Sequence, residues 1–313
     1  MVQDLYKAML SLPTYVLISP VRNEARYIEL TIKSVVAQRV RPARWVIVSD
    51  GSTDGTDEIV RRYAANHSWI EFVRLPDRSE RNFSGKVHAF NAGYARVRDL
   101  DYEVIGSLDA DISFDPDYLG FLLEKLSGNP RLGVVGTPFM ENAAVAYDYR
   151  FVSVEHVSGA CQVFRRQCFE EIGGYMPVRG GGIDYIAVVT ARMKGWKTRT
   201  FREIVCAHHR AIGSAQNGAV AARFRNGMKD YAVGNHPAWE LARSCYQMLR
   251  RPVVVGGVVL LSGYMWALIR RTERPVSKEF VAFTRKDQMR RLTNFVAARV
   301  LRWQLASDTS EYD

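Results

Sequence analysis

From Thr14 to Phe139 the chain alternates short apolar runs with longer amphipathic ones. TYVLISP (14–20), RWVIVSD (44–50), IEFVRL (70–75), YEVIGSL (102–108) and LGVVGTPF (132–139) are short and rich in β-branched residues, which predicts strands. Between them EARYIELTIKSVVAQ (24–38) repeats Ile28, Ile32, Val35 and Val36 at helical spacing. GTDEIVRRYAAN (55–66) and GKVHAFNAGYARV (85–97) also read as helices, and PDYLGFLLEKL (116–126) opens on a proline, which suits a helix start. Strands separated by helices of this length require right-handed crossovers. The expected fold is therefore α/β, a mostly parallel sheet with helices on both faces. Ligands of such sheets gather at the carboxyl ends of the strands. The polar punctuation falls there: PVRNE (20–24), SDGSTDG (49–55) and DAD (109–111) would share one rim.

Composition adds a boundary. The 313 residues are 47% apolar and 24% charged, which suits a globular chain with a substantial core and excludes wholesale disorder. Cys161, Cys168, Cys206 and Cys245 form no C-x-x-C pair, so reduced thiols on the cytosolic side are expected. No basic segment followed by an uninterrupted apolar run marks the N-terminus as a signal peptide. The net charge of +10 is uneven: residues 211–306 hold 16 Lys/Arg against 5 Asp/Glu, whereas residues 1–210 hold 27 against 25. This shift places a domain boundary near residue 212, with a catalytic domain over 1–212 and a basic helical extension over 213–313.

Taken singly, the polar loops are ordinary turns and caps; Asp54 or Thr56, for example, can bind free backbone N–H groups at a helix start. Taken in order, DGSTDGT after a strand, then GKVHAFNAG, then LDAD form a compound signal over roughly residues 13–210. These blocks resemble the family-2 glycosyltransferases of the bacterial polysaccharide and glycolipid type, which have the GT-A fold. The resemblance implies a nucleotide-sugar half over 13–112 and an acceptor half over 113–212. It implies that Asp50 faces the nucleoside base with Ser52 nearby, that Pro20, Arg22, Asn23 and Glu24 form the other pocket wall, and that Lys86 lies close to the nucleotide. A lysine in a first helical turn opposes the helix dipole and makes sense beside an anion. DAD corresponds to the family's D-x-D. Asp109 would contact ribose and metal, and Asp111 would bind a divalent cation, Mg²⁺ or Mn²⁺, that holds the diphosphate of a UDP- or GDP-sugar.

The acceptor block GGGIDYIAVVTARMKGW matches the family in Asp184 and in Gly195-Trp196, but Ile183 and Ile186 replace two acidic residues. Asp184 is the expected base for the acceptor hydroxyl, a role compatible with capping the helix that follows. In CAHHRAIGS (206–214) His208 matches a metal-ligating histidine, with His209 the runner-up. The expected activity is inverting transfer to a glycan or lipid-linked glycan. Sugar transfer to polyprenyl phosphate and a non-catalytic basic scaffold are the alternatives. No nucleic-acid motif accompanies the positive charge, so nucleic acid is not an expected partner.

The basic third contains an apolar run from Pro252 to Ile269 flanked by Arg250-Arg251 and Arg270-Arg271. A spanning helix needs about 20 apolar residues and a one-sided charge bias. A core helix and a segment dipping into one leaflet therefore rank ahead of a span. EFVAFTRKDQMRRLTNFVAARVLRWQL (279–305) sets Phe280, Phe283, Leu292, Phe295, Val296 and Leu301 among arginines. Such a helix packs on its own domain or lies on anionic lipid, so peripheral contact with the cytosolic membrane face is expected through this third.

Overall fold

Seven strands form one sheet in the order β10-β6-β9-β4-β1-β2-β3. Their ranges are β1 (Tyr15–Val21), β2 (Arg44–Ser49), β3 (Ile70–Arg74), β4 (Val104–Leu108), β6 (Leu132–Gly136), β9 (Cys161–Arg165) and β10 (Lys197–Thr200). The structure, a computed structural model, describes residues 12–77, 83–141, 144–145, 153–178, 180–210, 218–250 and 253–310. Two compact units divide the chain, Met1–Ile212 and Gly213–Asp313.

In the first unit β1 pairs in parallel with both β2 and β4, β2 with β3, and β6 with β10. Strand β9 runs antiparallel between β4 and β6, so the sheet is mixed and mostly parallel. Side chains alternate across a strand, and both faces are covered. Tyr15 and Leu17 of β1, with Trp45 and Ile47 of β2, pack in one core with Ile28, Ile32 and Val35 of α1 (Ile28–Val36) and Leu119, Leu122 and Leu123 of α4 (Tyr118–Ser127). The opposite face receives α3 (Phe83–Val97), where a Cβ on Gly93 would lie only 2.7 Å from Ile18 and 3.1 Å from Val48. Glycine at that place lets α3 sit close on the sheet and carries its first turn over the rim. Helix α2 (Thr56–Asn66) follows β2, and its Thr56 amide is bonded by Asp54 Oδ1 at 3.1 Å, the local capping foreseen for this loop.

A smaller sheet has the order β5-β11-β7-β8, with β5 (Ile112–Ser113), β7 (Phe139–Glu141), β8 (Ala144–Val145) and β11 (Cys206–His208). The run LGVVGTPF, read above as one strand, divides here. Gly136 ends β6, Pro138 offers no N–H to continue the ladder, and Phe139 opens β7 in the other sheet. Strand β11 pairs antiparallel with β5, setting His208 opposite Ile112 and Ala207 opposite Ser113. That register brings the end of CAH beside DAD. Helices α5 (Arg166–Glu171) and α6 (Ile183–Met193) complete the unit.

The second unit is helical: α7 (Ala219–Ala232), α8 (Pro237–Met248), α9 (Val255–Ile269) and α10 (Lys278–Ser310). Tyr231 and Tyr264 meet edge to face at 5.7 Å in its core. Phe280, Thr284 and Gln288 form a buried stripe on α10, and Gln288 accepts from the His236 amide at 2.8 Å. Phe295 of the same helix is exposed, while the side chains of Val296 and Leu301 lie outside the described residues, as do Arg251 and Pro252. Among the described residues no helix is long and apolar enough to cross a membrane.

Candidate functional site

Three loops leave the carboxyl ends of β1, β2 and β4 and meet at one rim. The first two are laced together. Asn23 holds a left-handed backbone (φ 56°), a conformation asparagine tolerates, and its amide donates to Ser52 Oγ at 3.1 Å. Its side-chain Oδ1 accepts from the Thr53 amide at 2.8 Å, the Glu24 amide donates to Thr56 Oγ1 at 2.8 Å, and the Ala25 amide donates to Asp54 Oδ2 at 3.0 Å. Pro20 stands in β1 opposite Val48, and Arg22 Nη1 lies 3.4 Å from Asp50 Oδ2. Asp50 and Ser52 are buried, and Ser52 Oγ also bonds Ser49 Oγ at 3.0 Å. Pro20, Arg22, Asn23, Glu24, Asp50 and Ser52 thus form one continuous wall.

The third loop carries the carboxylates. Lys86, in the first turns of α3, donates to Asp109 Oδ1, so a carboxylate answers the charge that the helix dipole disfavours. Burial would lower the Lys86 ammonium, but Asp109, Asp184 and Asp111 outweigh it and raise it. All three acidic residues therefore bear on one lysine. Asp109 is pushed above the ordinary carboxylate range by burial, with the Asp111 charge adding to the push and Lys86 and His208 opposing it.

Asp111 is buried, and His208 Nε2 lies 3.6 Å from its Oδ1. On its other side His208 Nδ1 lies 3.2 Å from Glu141 Oε1. Successive side chains of a strand point to opposite faces, and the two histidines separate accordingly: His209 Nε2 bonds Ser113 Oγ at 2.8 Å and its ring stacks on Tyr27 at 6.2 Å. His208 is the histidine that faces Asp111. Arg210 pairs with Glu24 and places Nε 3.5 Å from Asp111 Oδ2, linking the wall of the first loop to the carboxylates.

Asp184 is the second residue of α6, in its first turn. It is not the N-cap: Gly182 holds that position with φ 86°, and the Asp184 side chain instead accepts the Gly159 amide at 3.2 Å. A Cβ on Gly159 would stand 3.1 Å from Asp184 Cβ, so glycine permits the contact. The next residue, Ala160, accepts the Asp109 amide at 2.9 Å. One dipeptide, Gly159-Ala160, thereby spaces Asp184 from Asp109. Arg210, Glu141 and Gly159 were not singled out from sequence. Arg210 follows the two histidines directly, which is the one local signal it offers, whereas Glu141 and Gly159 are placed by strand pairings.

The donor set suits a hard divalent cation. A carboxylate and an imidazole face each other at Asp111 and His208, and a carboxylate behind the imidazole is the usual support of a ligating histidine. Among the described residues no three His, Cys, Asp or Glu side chains are grouped to hold a metal by themselves. Mg²⁺ and similar ions are commonly bound by one or two carboxylates together with substrate phosphates, so a short protein donor set fits them.

Comparison with known proteins agrees with this geometry. Residues 16–151 match the family model described as "Glycosyl transferase family 2". The poly-beta-1,6-N-acetyl-D-glucosamine synthase of Staphylococcus epidermidis is 28% identical over 170 residues, covering 48% of this chain and 39% of the relative. The synthase of the same description from Staphylococcus aureus (strain COL) is 32% identical over 121 residues, 38% of this chain and 27% of the relative. The chain thus spans well under half the length of these relatives. Among solved structures, the mannosyltransferase PcManGT from Pyrobaculum calidifontis, in complex with GDP-Man and Mn²⁺, superposes with a TM-score of 0.56 at 19% identity, covering 96% of this chain and 88% of that one. TarS 1–349 of S. aureus, in complex with UDP-GlcNAc, superposes with a TM-score of 0.52 at 12% identity over 87% and 78% of the two chains. With its mixed sheet and strand-end carboxylates, the chain has the GT-A fold, and its residues 16–151 are similar to glycosyl transferase family 2.

Proposed function

We propose that this protein is an inverting glycosyltransferase that moves a sugar from a UDP- or GDP-sugar to a hydroxyl of a glycan or lipid-linked glycan on the cytosolic side. The observation that carries the reading is the convergence of Lys86, Asp109, Asp111 and Asp184 at one strand-end rim. The nucleotide-bearing complexes of PcManGT and TarS support a nucleotide-sugar donor for the shared fold.

Each residue then has a role. Asp50, with Arg22 and Ser52, receives the nucleoside against the wall formed by Pro20 and Glu24. Asp109 faces the ribose, and Lys86 releases Asp109 to meet the diphosphate, whose negative charge grows as it leaves. Asp111 and His208 would hold Mg²⁺ or Mn²⁺, which when bound supplies Lewis-acid stabilisation of the departing diphosphate. Asp184 takes the proton of the acceptor hydroxyl as its oxygen bonds to the anomeric carbon and the bond from that carbon to the diphosphate breaks.

Replacing Asp184 with Asn tests the reading. Turnover is expected to fall by at least about 100-fold, the scale of losing a general base, with donor affinity unchanged. Product sugar configuration, read by NMR, should be inverted relative to the donor. Near-wild-type turnover in the variant would remove Asp184 from the chemistry and favour a phosphate acceptor such as polyprenyl phosphate, which needs little base assistance.

A further inference from the structure

Helix α9 is packed the opposite way round from a helix on a water-facing surface. Its buried side is made largely of small residues: Gly256, Gly257, Gly263 and Ala267, with Leu260 and Tyr264. A Cβ on Gly257 would lie 2.1 Å from the Ser244 carbonyl oxygen of α8, and one on Gly263 would lie 2.0 Å from the Phe224 carbonyl oxygen of α7. From the facing side, a Cβ on Gly227 of α7 would lie 2.0 Å from the Leu260 carbonyl oxygen. Backbone thus meets backbone, as between helices in a bilayer, where small residues allow close approach and large apolar ones face lipid.

The large side chains point the other way. Val255, Val258, Met265, Trp266 and Ile269 are exposed and fall on one stripe at helical spacing, with Trp266 48% and Ile269 74% exposed. Val253 and Val254 continue the stripe at its N-terminal end, and Val220 of α7 stands exposed beside it. Between α7 and α9 the same apolar surface dips into an open depression of about 660 Å³ lined by Val220, Ala221, Phe224 and Val259. The one polar residue on the stripe, Ser262, returns its hydroxyl to the Val258 carbonyl at 2.8 Å, so no hydrogen bond to water is required of it. Helix α9 contains no charged residue, while Arg250 lies before it and Arg270, Arg271 and Arg274 follow it. The Arg270 guanidinium lies 4.7 Å from the centre of the Trp266 ring, an aromatic–basic pair of the kind found at headgroup level.

We infer that the outward stripe of α9 is a monotopic membrane-docking surface: Val255, Val258, Met265, Trp266 and Ile269 enter one leaflet of an anionic bilayer, and the flanking arginines engage its headgroups. The charge decides between a bilayer and another protein face. Residues 211–306 carry the excess positive charge of the whole chain, and basic residues framing an apolar strip complement anionic lipid. A helix of 15 residues is about 22 Å long, enough to lie along the interface. The inference stands on the second unit alone and is independent of the proposed reaction.

The test uses the full chain and vesicles of phosphatidylcholine with or without about 30 mol% phosphatidylglycerol. The protein should float with the anionic vesicles and not with the neutral ones, and binding should be weakened but not lost in about 1 M NaCl, because salt screens the arginines and leaves the apolar insertion intact. Brominated lipid should quench tryptophan emission, and Trp266→Phe should remove that quenching. The exposed-site variant Val258→Ser/Met265→Ser/Trp266→Ser should lose at least about tenfold in vesicle affinity. Its melting temperature should fall by only a few degrees and its fold, read by circular dichroism, should be kept, since all three side chains are more than two-fifths exposed. A wild-type protein that ignores anionic vesicles overturns the inference. So does a concentration-dependent dimer that the triple variant converts to monomer, since that would make the stripe a contact between copies.

Discussion

Replacing Gly159 with Ala probes how firmly the proposed base is placed. The amide of Gly159 bonds Asp184 Oδ2, and an added Cβ would stand 3.1 Å from Asp184 Cβ, 3.2 Å from Oδ2 and 3.3 Å from Cγ. Carbon contacts are comfortable at about 3.5–4.0 Å, so the aspartate must retreat by roughly 0.3–0.5 Å. A misplacement of about 1 Å at a reacting centre can cost about 100-fold, so this shift should lower kcat about three- to tenfold. The proposed nucleotide wall is built from residues 20–24 and 50–56, and the three atoms nearest an added methyl at Gly159 all belong to Asp184. Donor affinity should therefore hold. Steady-state turnover, with nucleotide affinity measured separately by calorimetry, reads both quantities. Turnover equal to wild type while Asp184→Asn is inactive would refute the claim that the Gly159 contact positions the base. Loss of donor affinity would show that the substitution had disturbed the Asp109 loop through Ala160.

Further perturbations separate the other groups. Lys86→Met should weaken UDP or GDP binding about 10- to 100-fold, the value of one charged hydrogen bond, and leave uridine or guanosine binding unchanged; equal losses for nucleoside and nucleotide would place the lysine away from the phosphates. In the second unit the fully buried Glu240 is pushed up to about 7, chiefly by burial and then by the Asp230 charge, with Arg243 and Asn235 opposing. A raised carboxyl holds its proton more tightly in the folded state, so stability should fall as pH climbs from about 4.5 to about 7, by at most about 3 kcal/mol. Glu240→Gln should flatten that slope of melting temperature against pH and raise stability at pH above 7; an unchanged slope would show that another group titrates.

The alternating half of the fold was readable because each strand from β1 to β4 is a short apolar run bounded by a polar loop. Strand β9 was not: CQVFR carries little apolar contrast with its surroundings and gains its place by pairing antiparallel with β4 and β6. Site residues divide in the same way. Asp50, Lys86, Asp109 and Asp111 lie in local motifs that declare themselves. Glu141 reaches His208, and Arg210 reaches Asp111, only because β11 returns beside β5 and β7, a long-range pairing that no local spacing announces. The choice of His208 over His209 rests on strand alternation, and the denial of an N-cap role to Asp184 rests on a left-handed Gly182. The run at 252–269 read equally well as core or as leaflet anchor because periodicity alone does not say which side the small residues face. The structure puts glycine inward and tryptophan outward.

The central claim is that the DAD carboxylates and His208 join a divalent ion to a nucleoside diphosphate. Calorimetric titration of UDP and GDP, each with and without Mn²⁺, into the wild type and Asp111→Asn measures it directly, because the substitution removes the anionic ligand and nearly preserves its shape. The account predicts that one of the two nucleotides binds the wild type only with Mn²⁺ present. It also predicts that this binding is lost in the variant, whose melting temperature without ligand stays close to wild type. Nucleotide affinity that is independent of Mn²⁺ and identical in Asp111→Asn would contradict it.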